Sequence, residues 1–218
     1  MPAAGAELRI TEVFHSLQGE AQTVGLPTVF IRLTGCPLRC VWCDTEYAFN
    51  GGRLVPLEDL LSQVAEYRCA HVCVTGGEPL AQPECLTLLS SLCDRGYSVS
   101  LETSGALSVR DVDPRVSKVM DLKAPDSGES QRNLWSNLTA LSKIDQVKFV
   151  LASRGDYDWA RFKIDEHDLS DRVGEVLMSP VYGVLDPQQL AEWILQSGLR
   201  VRFQLQLHKL LWNDAPGH

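Results

Sequence analysis

Short β-rich runs alternate with amphipathic helix-like runs along most of this 218-residue chain, and this alternation restricts the possible folds more than any other feature. In PLEDLLSQVAEY, which starts at Pro56, apolar residues recur at the i, i+3, i+4 and i+7 positions of one helix face. In DPQQLAEWILQSG, Asp186 suits an N-cap, Pro187 the first turn and Gly198 the helix end. The predicted strands are 28–33, 71–76, 97–103, 116–123, 146–151, 174–180 and 201–208, and the predicted helices are 56–67, 83–96, 134–143 and 186–198.

Strands and helices that alternate in this way build a parallel sheet, which is either open or rolled into a barrel. A complete β/α barrel needs about eight strands in about 250 residues, which is more than this chain offers. We therefore expect an α/β fold with an incomplete TIM-type barrel of about six parallel strands, formed by a single domain over residues 1–218. A doubly wound open sheet is the alternative.

Both architectures bind ligands at the carboxyl ends of their strands, and small, polar or charged residues follow the predicted strands of this chain. Because these ends meet at one edge of the sheet, the sequence predicts a functional site there. The residues concerned are 34–36, 75–78, 103–105, 123–125, 179–180 and 208, the last being His208 at the end of the last predicted strand.

Charge and cysteine content exclude several classes of function. The formal net charge of -8 gives no basic surface for wrapping DNA or RNA, so we expect no nucleic-acid partner. The sequence has no apolar run of about 18 residues, and its start lacks the pattern of a secretory signal. The seven cysteines are an odd number clustered in the first half, which favours metal-bound thiolates in a reducing cytoplasm over a disulfide scaffold.

Cys36, Cys40 and Cys43 form a C-x3-C-x2-C pattern on a loop directly after a predicted strand. A structural zinc site needs four ligands, so zinc would also require His15 or His71. A 4Fe-4S cluster held by three cysteines leaves one iron free for a small molecule, such as the amino and carboxylate groups of a methionine-type ligand. Burial of the three cysteines as small apolar residues is the remaining alternative.

The segment CPLRCVWC resembles the cluster signature of the radical S-adenosylmethionine superfamily. TGGEP at 75–79 resembles the glycine-rich segment that holds the cofactor's amino group in that superfamily, although alone it would also suit a strand-to-helix turn. Across nearly the whole chain the sequence resembles the 7-carboxy-7-deazaguanine synthase family. The pieces that carry this resemblance are SLQGE, FIRLTGC, CVWCDT, ETSG, DLKAPDSG, KFVL and QLQLHKLLW.

The resemblance implies a ring contraction of 6-carboxy-5,6,7,8-tetrahydropterin to 7-carboxy-7-deazaguanine with loss of ammonia, in the biosynthesis of queuosine and other deazapurines. It implies one 4Fe-4S cluster, S-adenosylmethionine and Mg²⁺ as cofactors. A radical made from S-adenosylmethionine takes a hydrogen from the pterin and later returns it. The electron would come from an external donor such as flavodoxin.

The resemblance also assigns individual residues to these ligands. Cys36, Cys40 and Cys43 would hold the cluster, and Thr45 would bind Mg²⁺. The predicted S-adenosylmethionine contacts are Trp42, Asp44, Gly76, Gly77, Glu78, Ser104 and Lys123, and the predicted substrate contacts are Leu17, Gln18, Gly19, Glu20, Arg32, Thr75 and His208.

Several of these residues have a plainer structural interpretation. Arg32 lies in an apolar strand and needs an anionic partner, which could be the substrate carboxylate or a protein carboxylate. Thr45 could cap the next segment, and Lys123 could be a surface lysine. His208 could be a residue at a strand end whose hydrogen bonds are made within the protein. The tail NDAPGH follows Trp212, and any contact that relatives make through their chain terminus is in doubt here.

Two other functions remain open at this stage. A radical S-adenosylmethionine activase would abstract hydrogen from a partner protein, but SLQGE and Arg32 suit a small carboxylated heterocycle better. A non-catalytic zinc module would not need the glycine-rich segment after a strand. We expect the other four cysteines to have core roles without a second cluster, and a homodimer to cover the exposed edges of an incomplete barrel.

Overall fold

The computed structural model describes residues 5–213, 215 and 217 and contains one sheet of nine strands. The strands are β1 (Glu7–Leu17), β2 (Pro27–Leu33), β3 (Arg53–Pro56), β4 (His71–Gly76), β5 (Ser98–Thr103), β6 (Ser117–Asp121), β7 (Gln146–Leu151), β8 (Glu175–Pro180) and β9 (Arg202–Phe203). Their order across the sheet is β3-β1-β2-β4-β5-β6-β7-β8-β9. β1 pairs antiparallel with β2 and β3, and every pairing from β2 to β9 is parallel.

The expected partial barrel is confirmed, with seven parallel strands instead of about six. The strands β1 and β3 were not predicted, and they add an antiparallel extension to one side of the sheet. Both strands carry charged residues such as Glu7, Arg9 and Arg53, because this side of the sheet is partly exposed to solvent. Strands of that kind lack the continuous apolar run of a central parallel strand.

The α-helices are α1 (Leu57–Glu66), α2 (Cys85–Asp94), α3 (Arg154–Glu166), α4 (Leu169–Arg172), α5 (Pro187–Ser197) and α6 (Leu207–Trp212). Helices α1 to α5 contribute to the apolar core on the outer face of the sheet, whereas α6 lies beside the cavity on the inner face. The predicted caps of α5 are confirmed, since an Asp186 oxygen accepts a hydrogen bond from the Gln188 N–H at 3.0 Å and Gly198 ends the helix at φ +67°. The predicted apolar stripe of α1 is buried at Leu57, Leu60 and Leu61.

Alternation along each parallel strand separates a helix-covered face from a cavity face. In β7, Val147, Phe149 and Leu151 belong to the main apolar core under the helices. Lys148 and Val150 point to the opposite face and line a cavity. The same alternation holds in the other parallel strands, so the inner face of the partial barrel carries the polar side chains.

The loop between β1 and β2 crosses this inner face. The Ala21 side chain packs with Val119 and Leu177 in a small apolar cluster separate from the main core. The Ala21 N–H donates to the Gln204 side chain at 2.8 Å, and the Gln22 N–H donates to the Gln146 side chain at 2.7 Å. The loop therefore spans the barrel interior from β2 to the far strands, and its backbone polar groups are satisfied by inward-facing glutamines.

Two predicted elements differ in the structure. The predicted strand 201–208 was wrong beyond Phe203, because the chain turns there and the Leu207 N–H donates to the Gly19 carbonyl at 3.0 Å. His208 therefore lies on α6 and not at a strand end. The predicted helix 134–143 is a 3₁₀ helix at Trp135–Ala140, where the Asn137 amide bonds three backbone groups of the preceding loop. Among the described residues, no helix is long and apolar enough to cross a bilayer.

A buried ion pair joins the amino ends of β6 and β7. The Asp145 carboxylate is fully buried, lies 3.0 Å from the Lys118 ammonium, and accepts hydrogen bonds from the Lys118 and Ser142 backbone N–H groups. We expect Asp145→Ala to lower the free energy of unfolding by about 3 kcal/mol, because it leaves the buried Lys118 ammonium and the buried Lys118 N–H without their partner. Urea unfolding followed by circular dichroism measures this change.

Asp171→Ala is the matched control for this prediction. Asp171 pairs with Arg200 at 2.7 Å, but both side chains are exposed, so its removal should leave the urea midpoint unchanged. Equal midpoints for the two variants would contradict the structural role given to Asp145.

Candidate active site

A cavity of about 270 Å³ opens at the carboxyl ends of the parallel strands. It lies where the sequence predicted the functional site, and polar side chains from β4, β5, β6 and β7 line one side of it. Of the predicted site residues, Glu78 alone does not line the cavity. Those that do are Leu17, Gln18, Gly19, Glu20, Arg32, Cys36, Cys40, Trp42, Cys43, Asp44, Thr45, Thr75, Gly76, Gly77, Ser104, Lys123 and His208.

The three predicted cluster cysteines lie on the loop that follows β2. Backbone contacts hold this loop on both sides, since the Gly35 N–H donates to the Ala48 carbonyl at 2.8 Å and the Val41 N–H donates to the Ser127 carbonyl at 3.0 Å. The Cys36, Cys40 and Cys43 thiols are free and half-buried in the cavity wall. Burial raises the pKa of Cys40 to about 11, opposed by the nearby Lys123 ammonium.

This thiol set fits an iron–sulfur cluster better than zinc. The His15 ring lies tilted against the Tyr67 ring with centroids 5.9 Å apart, and His71 lies at the amino end of β4, opposite the cavity. Neither histidine is placed to complete a four-ligand zinc site with the cysteines. No group of three or more His, Cys, Asp or Glu side chains within residues 5–213 could hold a single metal ion, whereas a cubane cluster spreads its thiolates over separate iron atoms.

The glycine-rich turn after β4 lies directly against the cysteine loop. A Cβ atom added to Gly77 would lie 2.3 Å from the Gly35 carbonyl oxygen and 2.7 Å from the Cys36 Cβ. A Cβ atom on Gly76 would lie 2.3 Å from the Leu33 carbonyl oxygen. Glycine is therefore required here so that this turn and the cysteine loop can approach each other.

Glu78 is fully buried behind the residues that line the cavity, and it forms hydrogen bonds with its neighbours there. Its buried carboxylate accepts hydrogen bonds from the Leu80 N–H at 3.0 Å, the Thr103 hydroxyl at 2.9 Å, and the Ser104 N–H and hydroxyl at 2.7 and 2.5 Å. It joins the glycine-rich turn to the end of β5. The structure thus places Glu78 where it orients Ser104, and a direct ligand contact is not part of this arrangement.

A carboxylate and an amide from different segments meet at the base of the cavity. The Glu102 carboxylate accepts hydrogen bonds from the Gln18 amide at 3.3 Å and from the Thr75 hydroxyl at 2.9 Å. The Gln18 side-chain Oε1 atom accepts from the Glu20 N–H at 3.3 Å. The three predicted substrate residues Gln18, Glu20 and Thr75 are therefore brought together around Glu102, which the sequence analysis did not select.

A chain of opposite charges runs along the inner face from Glu20 to Lys123. The Lys148 ammonium bonds one Glu20 oxygen and lies 3.8 Å from Asp121, whose carboxylate pairs with Lys123 at 2.9 Å. Lys123 is therefore a cavity residue and not a surface lysine. Burial lowers the pKa of Lys148, but the Glu20, Asp121 and Glu102 carboxylates together raise it above its usual range.

Arg32 has a protein partner and still faces the cavity. Its Nε donates to the Glu12 carboxylate at 2.7 Å, and the Tyr47 hydroxyl donates to the same oxygen at 2.8 Å. The guanidinium carbon lies 5.8 Å from the centroids of both the Phe14 and Tyr47 rings. The predicted protein carboxylate partner is thus present, and the terminal N–H groups of this cavity-lining guanidinium are positioned by it.

The carboxyl-terminal helix α6 closes one side of the cavity. The Lys209 ammonium lies 3.3 Å from the Asp44 carboxylate, and burial of Asp44 is outweighed by Lys209 and Lys148, so its pKa is lowered. A Cβ atom on Gly19 would lie 2.4 Å from the His208 Nδ1 atom. In the tail after α6, Ala215 lines the cavity, as does residue 217, whereas positions 214, 216 and 218 lie outside the described residues.

The hydroxyl of Thr45 is not used as a helix cap. Thr45 occupies the N-cap position of the short 3₁₀ helix Glu46–Ala48, yet its side chain makes no capping hydrogen bond. Its hydroxyl lies 3.8 Å from the Cys43 sulfur at the cavity wall. The capping interpretation is therefore wrong, and Thr45 is a residue of the cavity wall with its hydroxyl beside a predicted cluster ligand.

Glu102 and Lys148 are the main site residues that sequence reasoning missed. Both stand in β-rich runs, SVSLET and QVKFVL, in which alternate residues are apolar and face the helices. A charged residue at an inward position of a central strand is a signal that was present in the sequence. It was passed over because the predictions concentrated on residues that follow the strands.

Three comparisons relate the chain to known proteins. Residues 30–120 match the Radical SAM superfamily. The 7-carboxy-7-deazaguanine synthase of Chlorobaculum tepidum is 45% identical over 97% of this chain and 98% of its own length, and that of Koribacter versatilis is 40% identical over 94% and 97%. The crystal structure of QueE from Escherichia coli superposes with a TM-score of 0.78 and 25% identity, covering 93% of this chain and 95% of that one.

The contact between Gly77 and Gly35 leads to a test of the site's geometry. Gly77→Ala would place a methyl group 2.3 Å from a backbone oxygen, which no side-chain rotation can relieve. We expect the turn and the cysteine loop to separate, the free energy of unfolding to fall by about 1–3 kcal/mol, and iron retention to drop. Thermal unfolding and iron content after anaerobic reconstitution measure both effects.

Gly155→Ala is the control, because a Cβ atom there would contact only the Ser153 hydroxyl at 3.5 Å in the first turn of α3. It should retain both stability and iron. Normal iron content in Gly77→Ala would show that the two segments need not approach so closely.

Proposed function

Because this chain belongs to the 7-carboxy-7-deazaguanine synthase family of radical S-adenosylmethionine enzymes, we propose that it converts 6-carboxy-5,6,7,8-tetrahydropterin to 7-carboxy-7-deazaguanine with loss of ammonia. This is a carbon–nitrogen lyase reaction in the pathway to queuosine and other 7-deazapurines. The observation that carries the proposal is that three free thiols, a glycine-rich turn and the Gln18–Glu20 segment line one cavity. Membership of the superfamily implies a 4Fe-4S cluster and S-adenosylmethionine.

Cys36, Cys40 and Cys43 would hold the cluster through their thiolates. When bound and reduced, the cluster and S-adenosylmethionine supply the radical that starts the reaction. The glycine-rich turn lies directly against the cysteine loop, with the Glu78 N–H donating to the Gly35 carbonyl at 2.8 Å, and this suits a ligand bound to the open iron. Trp42, Asp44, Gly76, Gly77, Ser104 and Lys123 would bind S-adenosylmethionine, with Glu78 holding Ser104 in place.

The substrate would lie over Gln18, Glu20 and Glu102. The pterin edge presents N–H and NH₂ donors, and these match the Glu20 Oε1 atom, which has no partner among the described residues, and the remaining lone pairs of the Glu102 carboxylate. Arg32 would bind the substrate carboxylate with the N–H groups that Glu12 leaves free. Leu17, Gly19, Thr75 and His208 would complete the substrate pocket.

We propose Mg²⁺ as a third cofactor, bound by the Thr45 hydroxyl. A hydroxyl is a weak single ligand, so the ion would also take substrate oxygens and water. This assignment is supported by the position of Thr45 in the cavity wall and by its hydroxyl, which makes no capping hydrogen bond to the helix that follows.

The remaining proposals concern the protein as a whole. The continuous nine-strand sheet supports a single domain. The seven free cysteines support a reducing cytoplasm, and the exposed β3 edge with Leu54 supports a homodimer. An external donor such as flavodoxin would supply the electron.

Anaerobic reconstitution with iron and sulfide, followed by reduction and addition of carboxytetrahydropterin, Mg²⁺ and S-adenosylmethionine, tests the function. Chromatography should detect many turnovers of 7-carboxy-7-deazaguanine with little 5'-deoxyadenosine. Release of 5'-deoxyadenosine without deazapurine would refute the substrate and favour an activase. Omission of Mg²⁺ should slow product formation if Thr45 binds this ion.

Replacement of single cysteines tests the cluster ligands. We expect Cys40→Ala to lose the visible absorbance of the cluster and all product formation, because two thiolates cannot hold a 4Fe-4S cluster firmly. Cys93→Ala is the matched control, since Cys93 is a half-buried free thiol on α2 that does not line the cavity. An active Cys40→Ala enzyme, or an inactive Cys93→Ala enzyme, would contradict the assignment.

A further inference from the structure

Lys148 is a buried cation at the centre of the cavity's inner wall. It stands on β7 between Gln146, which bonds the loop after β1, and Val150, which lines the cavity. Its side chain is 12% exposed, and its ammonium bonds one oxygen of Glu20. The same ammonium lies 3.8 Å from Asp121, so one lysine contacts carboxylates from two separate segments.

The Glu20 carboxylate is held by one oxygen only. Its Oε2 atom bonds Lys148, whereas its Oε1 atom is buried and has no hydrogen-bond partner among the described residues. Glu20 is 6% exposed and lines the cavity. A buried carboxylate oxygen without a partner is costly, so this atom is suited to accept a hydrogen bond from a ligand.

Removal of Lys148 would leave several negative charges uncompensated. Glu20, Asp121 and Glu102 all act on Lys148 electrostatically, and Lys123 already bonds Asp121 at 2.9 Å. Within the described part of the chain, Lys148 is the only cation that pairs with Glu20. Without it, Glu20 would turn towards water or take up a proton, and its free oxygen would no longer accept a hydrogen bond in the same place.

We propose that Lys148 is a positioning residue for the substrate: its ammonium fixes the Glu20 carboxylate so that the second oxygen faces the ligand as an acceptor. The inference rests on the proposed function, because the ligand is the pterin. The group that Glu20 would bind is an N–H or NH₂ donor on the pterin edge. Asp121 lies 3.8 Å from Lys148 but is held by Lys123 at 2.9 Å, so the carboxylate on the cofactor side keeps a cation when Lys148 is removed.

Lys118 shows that a buried lysine–carboxylate pair need not have this role. Its ammonium lies 3.0 Å from Asp145, and its side chain is 5% exposed. It stands on the neighbouring strand β6, but it does not line the cavity. Lys118 is therefore a control for the loss of a buried ion pair in the same sheet.

The test compares Lys148→Met, Lys148→Arg and Lys118→Met in the reconstituted enzyme. The measurements are KM and kcat for carboxytetrahydropterin, and the Kd of the stable analogue 6-carboxypterin by fluorescence titration. We expect Lys148→Met to raise KM and Kd by about tenfold or more, because a buried carboxylate loses its partner. Lys148→Arg should bind 6-carboxypterin more tightly than Lys148→Met does, because it keeps a cation beside Glu20. Lys118→Met should have the wild-type Kd, although its thermal unfolding midpoint should be lower.

Cofactor binding provides a readout that separates positioning from general damage. In Lys148→Met, the change in the electron paramagnetic resonance spectrum of the reduced cluster on adding S-adenosylmethionine should persist. A double-mutant cycle compares the effect of Lys148→Met on the Kd of 6-carboxypterin in the wild-type and Glu20→Gln backgrounds. In the Glu20→Gln background, Lys148→Met should raise the Kd much less, because the lysine acts through that carboxylate.

Three outcomes would overturn the inference: an unchanged Kd in Lys148→Met, the same loss of affinity in Lys118→Met, or fully additive effects of Lys148→Met and Glu20→Gln. Wild-type enzyme that neither binds the pterin nor forms deazapurine would instead refute the proposed function, and with it the inference. The wild-type measurement thus distinguishes the two failures.

Discussion

The loop between β1 and β2 is the constraint on which the rest of the site depends. It must cross the inner face of an open barrel, where its backbone N–H and C=O groups have little access to water. The Gln146 and Gln204 side chains form hydrogen bonds with backbone groups of the loop. The Ala21 side chain packs between Val119 and Leu177. A complete barrel would fill this interior with side chains from its strands. Here a loop does so, and it carries Gln18, Gly19 and Glu20 into the cavity.

Burial of this loop explains why the cavity wall is built of paired charges. A carboxylate that enters a low-dielectric interior needs a cation or several donors. Lys148 forms an ion pair with Glu20, and Lys123 forms one with Asp121. Glu78 instead accepts hydrogen bonds from four donors. The site is therefore held in place before a ligand binds, and the groups left without partners are those suited to contact a ligand.

The close approach of two backbones connects this wall to the cysteine loop. Gly77 can approach the Gly35 carbonyl oxygen because Gly77 carries no side chain. Glu78 then fixes the turn to β5 through Thr103 and Ser104. The thiols, the turn and the end of β5 consequently form one unit, in which displacement of any part would move the others.

The sequence by itself determined the partial β/α barrel, the parallel strands, the helices α1, α2 and α5, the position of the site at the carboxyl ends of the strands, and the cysteine loop with its glycine-rich partner, whereas α3, α4 and α6 were not predicted. These features depend on local periodicity, on capping residues and on short motifs, which are properties of neighbouring residues. Charged residues at inward strand positions, such as Glu102 and Lys148, were a further signal in the sequence that the predictions did not include.

Only the tertiary structure decided which residues from distant segments meet. The partners of Glu20, Arg32 and Asp44 are 128, 20 and 165 residues away in the chain, at Lys148, Glu12 and Lys209. It also placed His208 on a helix against Gly19, and Glu78 behind the cavity wall. Such pairings depend on how the loop after β1 and the helix α6 fold back over the sheet. No local pattern encodes that path, because the free energy of burying these groups depends on the whole assembled cavity.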